Sequence, residues 1–508
     1  MMMKYVLGID NGGTMTKATL FSLKGEEIVT AVSKTEMLTP RPYYTERDCE
    51  ELWQANLAVI REILTRSAIA AVELVGISIT GHGNGLYVMN KAGETTYNGI
   101  ISTDQRAQKY VHQWRADPRY DEEILPKTMQ SVWAGQPVAL LAWLKENEKE
   151  VYTKTDFILM VKDYIRYKLT GDVFFEQTDA SGTSLLNVRN RCYDKELLAF
   201  FGIEEVFDKL PPLRNATACC GSVTEEVATL TGLRAGTPVA GGMFDISASA
   251  IASGLVSEDH LCIVAGTWSI NEYITKNPVV DKHLFMTSIY CIDGFWLTTE
   301  ASPTSASNLE WYINQCMPLE KNEAKAKNQS IYHLCNELVS QTEPEESELL
   351  FLPFLFGSNA VSHASSCFIG LLSWHQRAHL LRAIYEGVVF SHMAHVERLL
   401  QFRVKPTVVR LAGGVTKSDV WVQLFADALQ LPVEVINVQE HGTLGTAMCA
   451  AVMTGEYESI QQASEAMVQV KTTIQPNPLK AAIYEQKFKR YQETVHKMAD
   501  VWALGVKQ

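Results

Sequence analysis

Asp10 closes a short apolar run, Tyr5-Val6-Leu7-Gly8-Ile9, and stands directly before Asn11-Gly12-Gly13-Thr14. A carboxylate there can hold Mg²⁺ beside a phosphate, because Mg²⁺ favours one or two carboxylates plus phosphate oxygens. The plainer alternative is an Asp that satisfies backbone donors in a β-turn. Far downstream the pattern recurs: Leu261-Cys262-Ile263-Val264-Ala265 runs into Gly266-Thr267-Trp268-Ser269. Such a turn offers bare backbone N–H groups and a hydroxyl to an anion, since glycine lets the backbone approach closely. Two of them in two halves of one chain fit a phosphate chain gripped from both sides, and so ATP chemistry. Lys17 is placed to reach a phosphate, or to be an ordinary solvated strand residue.

A second carboxylate follows glycines in Val239-Ala240-Gly241-Gly242-Met243-Phe244-Asp245. The small residues after it, Ile246-Ser247-Ala248-Ser249-Ala250, suit a helix. At a helix start beside a cleft, Asp245 can take a proton from a substrate hydroxyl. A helix cap is the competing role. Arg410-Leu411-Ala412-Gly413-Gly414 ends another apolar run in paired glycines, against which a flat ligand can lie. A tight strand-to-helix turn would look the same.

These residues need elements to position them. Residues 4–10, 16–22 and 27–32 read as an antiparallel meander with a turn at Lys24-Gly25-Glu26. Asp48 caps a helix to about Thr65, with Leu52, Trp53, Leu57, Ile60 and Leu64 on one face. Residues 74–80 form a buried strand ending at Gly81, and about 104–235 is mostly helical. The second half repeats strand, Gly-Thr turn, strands and long helices, and a mixed-charge helix runs from about Ala481 to Val501. At 508 residues two domains are the default.

The chain carries 45 Lys and Arg against 58 Asp and Glu, a formal −13. An acidic surface argues against nucleic acid as partner. No apolar run approaches the roughly 20 residues that span a bilayer, and no signal peptide is read. Ten scattered cysteines without a CxxC pair read as reduced thiols in a cytoplasmic protein.

Asp10 to Thr14, Gly81 to Gly85, Asp104-Gln105-Arg106, Lys162-Asp163-Tyr164, Gly241 to Asp245, Gly266-Thr267 and Gly413-Gly414 occur in the order of the FGGY carbohydrate kinases, which the whole chain resembles. The resemblance implies an α/β fold of two actin-like, ribonuclease-H-like domains flanking a cleft, here 1–254 on the sugar side and 255–508 on the nucleotide side. It implies ATP and Mg²⁺ as cofactors and allows a homodimer. By it Asp10 and Asp245 would serve the metal, and Asp245 would be the base. Gly12, Gly13, Thr14, Lys17, Gly266, Thr267, Gly413 and Gly414 would hold the nucleotide. Gly13 stands where a Thr is common in the family.

The sugar turn reads His82-Gly83-Asn84, unlike the Gln-Met-His usual in xylulose kinases or the Gln-Arg-Glu of glycerol kinases. Asp245 is followed by Ile246 rather than Asn or Gln. Trp133 to Val138, Glu300 to Ser305, Phe354 to Ala360 and Ala383 to Met393 resemble the L-xylulose / 3-keto-L-gulonate kinase group. The small-molecule substrate expected is therefore such a keto-sugar. D-xylulose, erythritol, gluconate and glycerol, or a catalytically silent sugar sensor, are the alternatives. His82, Asn84, Asp104, Trp133, Asp245 and Ile246 are the candidate sugar contacts; Trp133 as a core aromatic beside Trp143 and His82 as a turn histidine remain open. Arg106, Lys162 or Arg41 would face the carboxylate of a sugar acid.

Overall fold

The computed structural model describes residues 3–359 and 361–504; Ala360, the last residue of one stretch shared with the keto-sugar kinase group, falls outside them. Tyr5–Asn11 (β1), Met15–Ser22 (β2) and Glu27–Lys34 (β3) form the expected meander. Leu74–Gly81 (β4) lies parallel to β1 on its other side. Cys219–Ser222 (β5) and Pro238–Ala240 (β6) complete a six-stranded sheet in the order β5-β6-β4-β1-β2-β3. The run Tyr5 to Ile9 of β1 is apolar and buried, as in a central strand covered on both faces.

The second sheet has seven strands: His260–Ala265 (β7), Ser269–Thr275 (β8), Met286–Ile289 (β9), Trp296–Ser302 (β10), Val408–Ala412 (β11), Val433–Ile436 (β12) and Val470–Ile474 (β13). Their order is β9-β10-β8-β7-β11-β12-β13. Both sheets follow one plan. A first strand (β1 or β7) makes an antiparallel hairpin with its successor. On its far side lies a parallel strand (β4 or β11), flanked by another (β6 or β12). The two glycine turns are the matching hairpin turns of the two sheets.

Cys49–Ser67 (α1) starts where expected, with the Asp48 carboxylate accepting from the Glu51 amide at 2.8 Å. Val161–Thr170 (α2) stops at Gly171, which takes φ 78°. Asp245–Ala252 (α3), Arg377–Leu400 (α4), Asp419–Leu429 (α5) and His441–Met453 (α6) are the other helices that frame the cleft.

α6 crosses the expected boundary at 254/255: it comes from the second half of the chain yet packs on β1 and β4 of the first sheet and on α3. Glycines make this approach close. A β-carbon on Gly8 would lie 2.0 Å from the Thr443 carbonyl oxygen, and one on Gly445 would lie 2.0 Å from that of Ala248. One buried core accordingly mixes both halves, with Val6, Phe21, Met243 and Ala248 beside Leu444, Ala447 and Met448. A second seam joins the halves where Gln130 bridges Met286 and the Thr287 amide donates to the Met129 carbonyl at 2.8 Å. All ten cysteines are free thiols. Among the described residues, no helix is long and apolar enough to cross a membrane.

Candidate active site

Asp10 is the last but one residue of β1, directly across the hairpin from Lys17. Lys17 Nζ pairs with Glu440 Oε2 at 2.8 Å, at the foot of α6. The first turn of α6 comes so near that a β-carbon on Gly442 would stand 2.7 Å from Asp10 Oδ2. Burial, opposed by Lys17 and assisted by Glu440, pushes the Asp10 carboxyl up to about 6. Lys17 is thus held by a carboxylate rather than free to swing.

The turn after Asp10 is fastened by a residue the sequence reading missed. Arg47 is fully buried, and its Nη2 donates to the Gly12 carbonyl at 2.9 Å and to that of Gly13. Its Nε and Nη1 lack hydrogen-bond partners. Asn11 Oδ1 accepts from Thr16 Oγ1 at 3.1 Å and Asn56 Nδ2 at 2.8 Å. Nothing in a Glu-Arg-Asp string before a helix announces a buried guanidinium. Thr14 is exposed, and its carbonyl accepts from the Thr35 amide at 3.0 Å.

Asp245 is the first residue of α3, with Phe244 in the capping position. Its Oδ1 accepts from the Ile246 amide at 2.8 Å. Burial first, then the Asp10 charge, push its carboxyl up to about 7, against the pull of the Ile246 and Gly83 amides. This brings together Asp10, Asp245 and the sugar turn, which lie in three separate sequence stretches. A carboxyl tuned near neutrality at a helix start suits proton abstraction.

In the turn His82-Gly83-Asn84, the expected sugar turn, the His82 amide donates to the Asn11 carbonyl at 2.9 Å, joining it to the first glycine turn. His82 Nε2 meets the Tyr87 hydroxyl at 3.2 Å, and its buried Nδ1 has no partner. Burial and the nearby Arg47 cation lower its pKa to about 3, so the ring is neutral. Asn84 takes φ 61°, and its buried Oδ1 also has no partner. Both are buried polar atoms of this turn. Ile246 is half-buried beside Asp245. Trp133 is half-buried and lines a cavity between the two halves, while Trp143 packs elsewhere, against Tyr44.

Asp104, one of the expected sugar contacts, is held by its own protein neighbours. It is fully buried, and both its oxygens are taken inside the protein. Oδ1 accepts from Arg106 Nε at 2.9 Å, and Oδ2 accepts from the Thr45 amide at 2.7 Å and Arg106 Nη2 at 2.9 Å. Arg106 also pairs with Glu46 at 2.8 Å under the Tyr44 and Trp143 rings. Lys162 is likewise enclosed, 2.9 Å from Asp163 and 3.4 Å from Asp179. Neither cation is available to a substrate carboxylate, and Arg41 sits exposed near Tyr44.

On the other side, Gly266, Thr267, Tyr332, Asn336, Gly414 and Trp421 line one cavity of ≈ 550 Å³. A β-carbon on Gly266 or Gly414 would meet nothing within 4 Å, so both backbones face open space. Gly413 takes φ 92° and lies so near the end of β7 that a β-carbon would stand 2.5 Å from the Ala265 oxygen. The second turn rests on a buried network. His392 Nδ1 meets Asn271 Oδ1 at 2.8 Å and Ser269 Oγ at 3.1 Å, and its Nε2 meets Ser305 Oγ at 2.9 Å. Burial lowers the His392 pKa to about 3, so it acts as a neutral bridge.

The cavity is of ordinary size for a nucleotide-like ligand. Among the described residues, no group of three or more His, Cys, Asp or Glu is placed to hold a metal. The carboxylates beside the turns are Asp10 and Asp245, a donor set that fits Mg²⁺ shared with phosphate oxygens.

The family model of the FGGY carbohydrate kinases matches through its N-terminal domain over residues 5–252 and its C-terminal domain over residues 261–454. The L-xylulose/3-keto-L-gulonate kinase of Escherichia coli (strain K12) is 38% identical over 495 residues, 97% of either chain. The probable L-xylulose kinase of Pasteurella multocida (strain Pm70) is 38% identical, over 97% of this chain and 98% of its own. The ligand-bound xylulose kinase of Lactobacillus acidophilus superposes with a TM-score of 0.90 at 23% identity, covering 99% of this chain and 100% of its own, which shows the shared fold. The chain belongs to the FGGY family of carbohydrate kinases and is a sugar phosphotransferase.

Proposed function

We propose that this kinase transfers the γ-phosphoryl group of ATP to the terminal hydroxyl of a keto-sugar, L-xylulose or 3-keto-L-gulonate. The observation that carries the reading is the Asp245 carboxyl, pushed up to about 7 and held by the Gly83 amide of the sugar turn. In the reaction the sugar O–H bond breaks as its oxygen bonds to phosphorus. The proton passes to Asp245, and ADP leaves with the bridging oxygen. Such a transfer needs positioning and charge neutralisation more than covalent help from the protein. Mg²⁺, which Asp10 and Asp245 would hold, supplies charge neutralisation at the phosphates.

The names of the relatives at 38% identity support the choice of sugar. So does the turn His82-Gly83-Asn84, which lacks the charged pair expected for glycerol. The carbonyls that Arg47 grips and the open backbones of Gly266 and Gly414 support the placing of the nucleotide between the two turns. The placement of Asp104 supports a role in shaping the sugar loop rather than touching the ligand.

The test is an assay of ADP release across L-xylulose, 3-keto-L-gulonate, D-xylulose, erythritol, gluconate and glycerol. The reading expects one of the first two to give the highest kcat/KM. A higher value for any of the other four overturns the sugar assignment. No sugar-stimulated ADP at all overturns the kinase in favour of a sensor.

A further inference from the structure

A cavity of ≈ 520 Å³ opens between the two halves. Arg115 and Trp133 wall it on one side; Trp268, Lys282, Arg398 and Glu300 wall it on the other. Trp133 belongs to the loop whose Gly135 carbonyl accepts from the Gly85 amide of the sugar turn at 2.8 Å. Trp268 directly follows Thr267 of the second phosphate turn. The cavity therefore adjoins both the loop behind the sugar turn and the second glycine turn.

Its charge is unlike the rest of the molecule. Three permanent cations face one carboxylate in the lining, a surplus of two positive charges on a chain of net charge −13. Glu300 is already matched: Oε2 accepts from Arg398 Nη1 at 2.8 Å and meets His395 Nδ1 at 2.9 Å. Arg115 is fixed by two bonds from Nε and Nη2 to the Val132 carbonyl, at 3.1 and 2.7 Å. These bonds set its guanidinium without neutralising it. Among the described residues, neither Arg115 nor Lys282 belongs to an ion pair, and the one carboxylate of the lining is taken by His395 and Arg398. A neutral ketopentose has no group that uses two unmatched cations, whereas a sugar acid has one at the end opposite its terminal hydroxyl. Guanidinium and ammonium donors recognise carboxylates through charge-assisted hydrogen bonds, and both Arg115 and Lys282 are exposed to the cavity.

We infer that this cavity receives the carboxylate of an acidic keto-sugar through Arg115 and Lys282, so that the enzyme selects 3-keto-L-gulonate over L-xylulose. The inference rests on the keto-sugar reading of the site. It replaces Arg106 and Lys162, both enclosed by protein carboxylates.

The test is the ratio of kcat/KM for 3-keto-L-gulonate to that for L-xylulose, in the wild type and in the Arg115→Gln/Lys282→Gln double variant, at low and high salt. The wild type is expected to favour the acid, and the ratio is expected to fall about tenfold in the double variant, mainly through KM. Salt should lower the ratio in the wild type and hardly move it in the variant. A ratio unchanged within about twofold in the variant overturns the inference, as does a wild type that phosphorylates L-xylulose but not the acid. A wild type that phosphorylates neither, while turning over another polyol, overturns the keto-sugar reading and this inference with it.

Discussion

The Phe244 ring fills the space that a side chain on Gly83 would need: its Cε2 lies 1.7 Å from where a β-carbon would stand. The ring is pressed between Gly83 and Gly182, whose β-carbon would stand 3.0 Å away. The residue before Asp245 is therefore clamped by the sugar turn, and the carboxylate inherits that position. Gly83→Ala forces the turn and the ring apart. It is expected to cost about 1–3 kcal/mol of stability and to lower kcat/KM for the sugar at least tenfold, as thermal melts and steady-state assays would read. Wild-type kinetics in a folded Gly83→Ala protein would contradict the clamp.

The raised carboxyl of Asp245 has two consequences of opposite value. With Asp245 as the proposed base, turnover needs the ionised form, so kcat/KM is expected to rise with pH and level off above about 7. Stability runs the other way. Between the ordinary value of 3.8 and about 7, the native protein binds a proton that the unfolded chain releases. Stability from this group therefore falls as pH rises through that window. Asp245→Asn removes both effects: turnover should drop about 10²–10⁴-fold, while the variant should melt higher than wild type at pH 8 and lose that advantage near pH 4.

Arg47 holds the first glycine turn, the proposed phosphate turn, by its carbonyls, at 2.9 Å for Gly12. Truncation at Arg47→Ala leaves those carbonyls and a large buried space without a partner. Stability should fall by about 2–4 kcal/mol, with KM for ATP rising more than KM for the sugar. Arg47→Lys should rescue little, because an ammonium does not reproduce the planar fork. Equal effects on both substrates would argue that Arg47 acts on the fold alone.

Gly266 and Gly414 offer the opposite case, since a β-carbon at either meets nothing within 4 Å. Gly266→Leu and Gly414→Leu should fold with Tm within about 2 °C of wild type, as surface changes usually do. Their side chains would project into the ≈ 550 Å³ cavity. KM for ATP is then expected to rise at least tenfold while sugar binding, followed by calorimetry, stays unchanged. Unaltered ATP kinetics would place the nucleotide elsewhere.

Much of the scaffold was legible in the residues. The meander over β1 to β3, the Asp48 cap and the strand before Gly266 follow from local rules of alternation and capping. The partners that the sequence left unread are all long-range. Asp104 has the short polar side chain of a sugar ligand, yet Arg106 and the Thr45 amide occupy it. Lys17 reads as a phosphate contact or a solvated strand residue, and its partner Glu440 stands 423 positions away.

The sequence by itself determined which turns, caps and catalytic residue types this chain carries and in what order, because those depend on neighbours a few residues apart. Only the tertiary structure decided that α6 returns to the first sheet, that Arg47 is buried under Gly12, and that Arg115 and Lys282 face one cavity. Each of these joins residues far apart in the chain. Which partner a charge finds there depends on packing, through glycines such as Gly8 and Gly445 that let distant backbones meet.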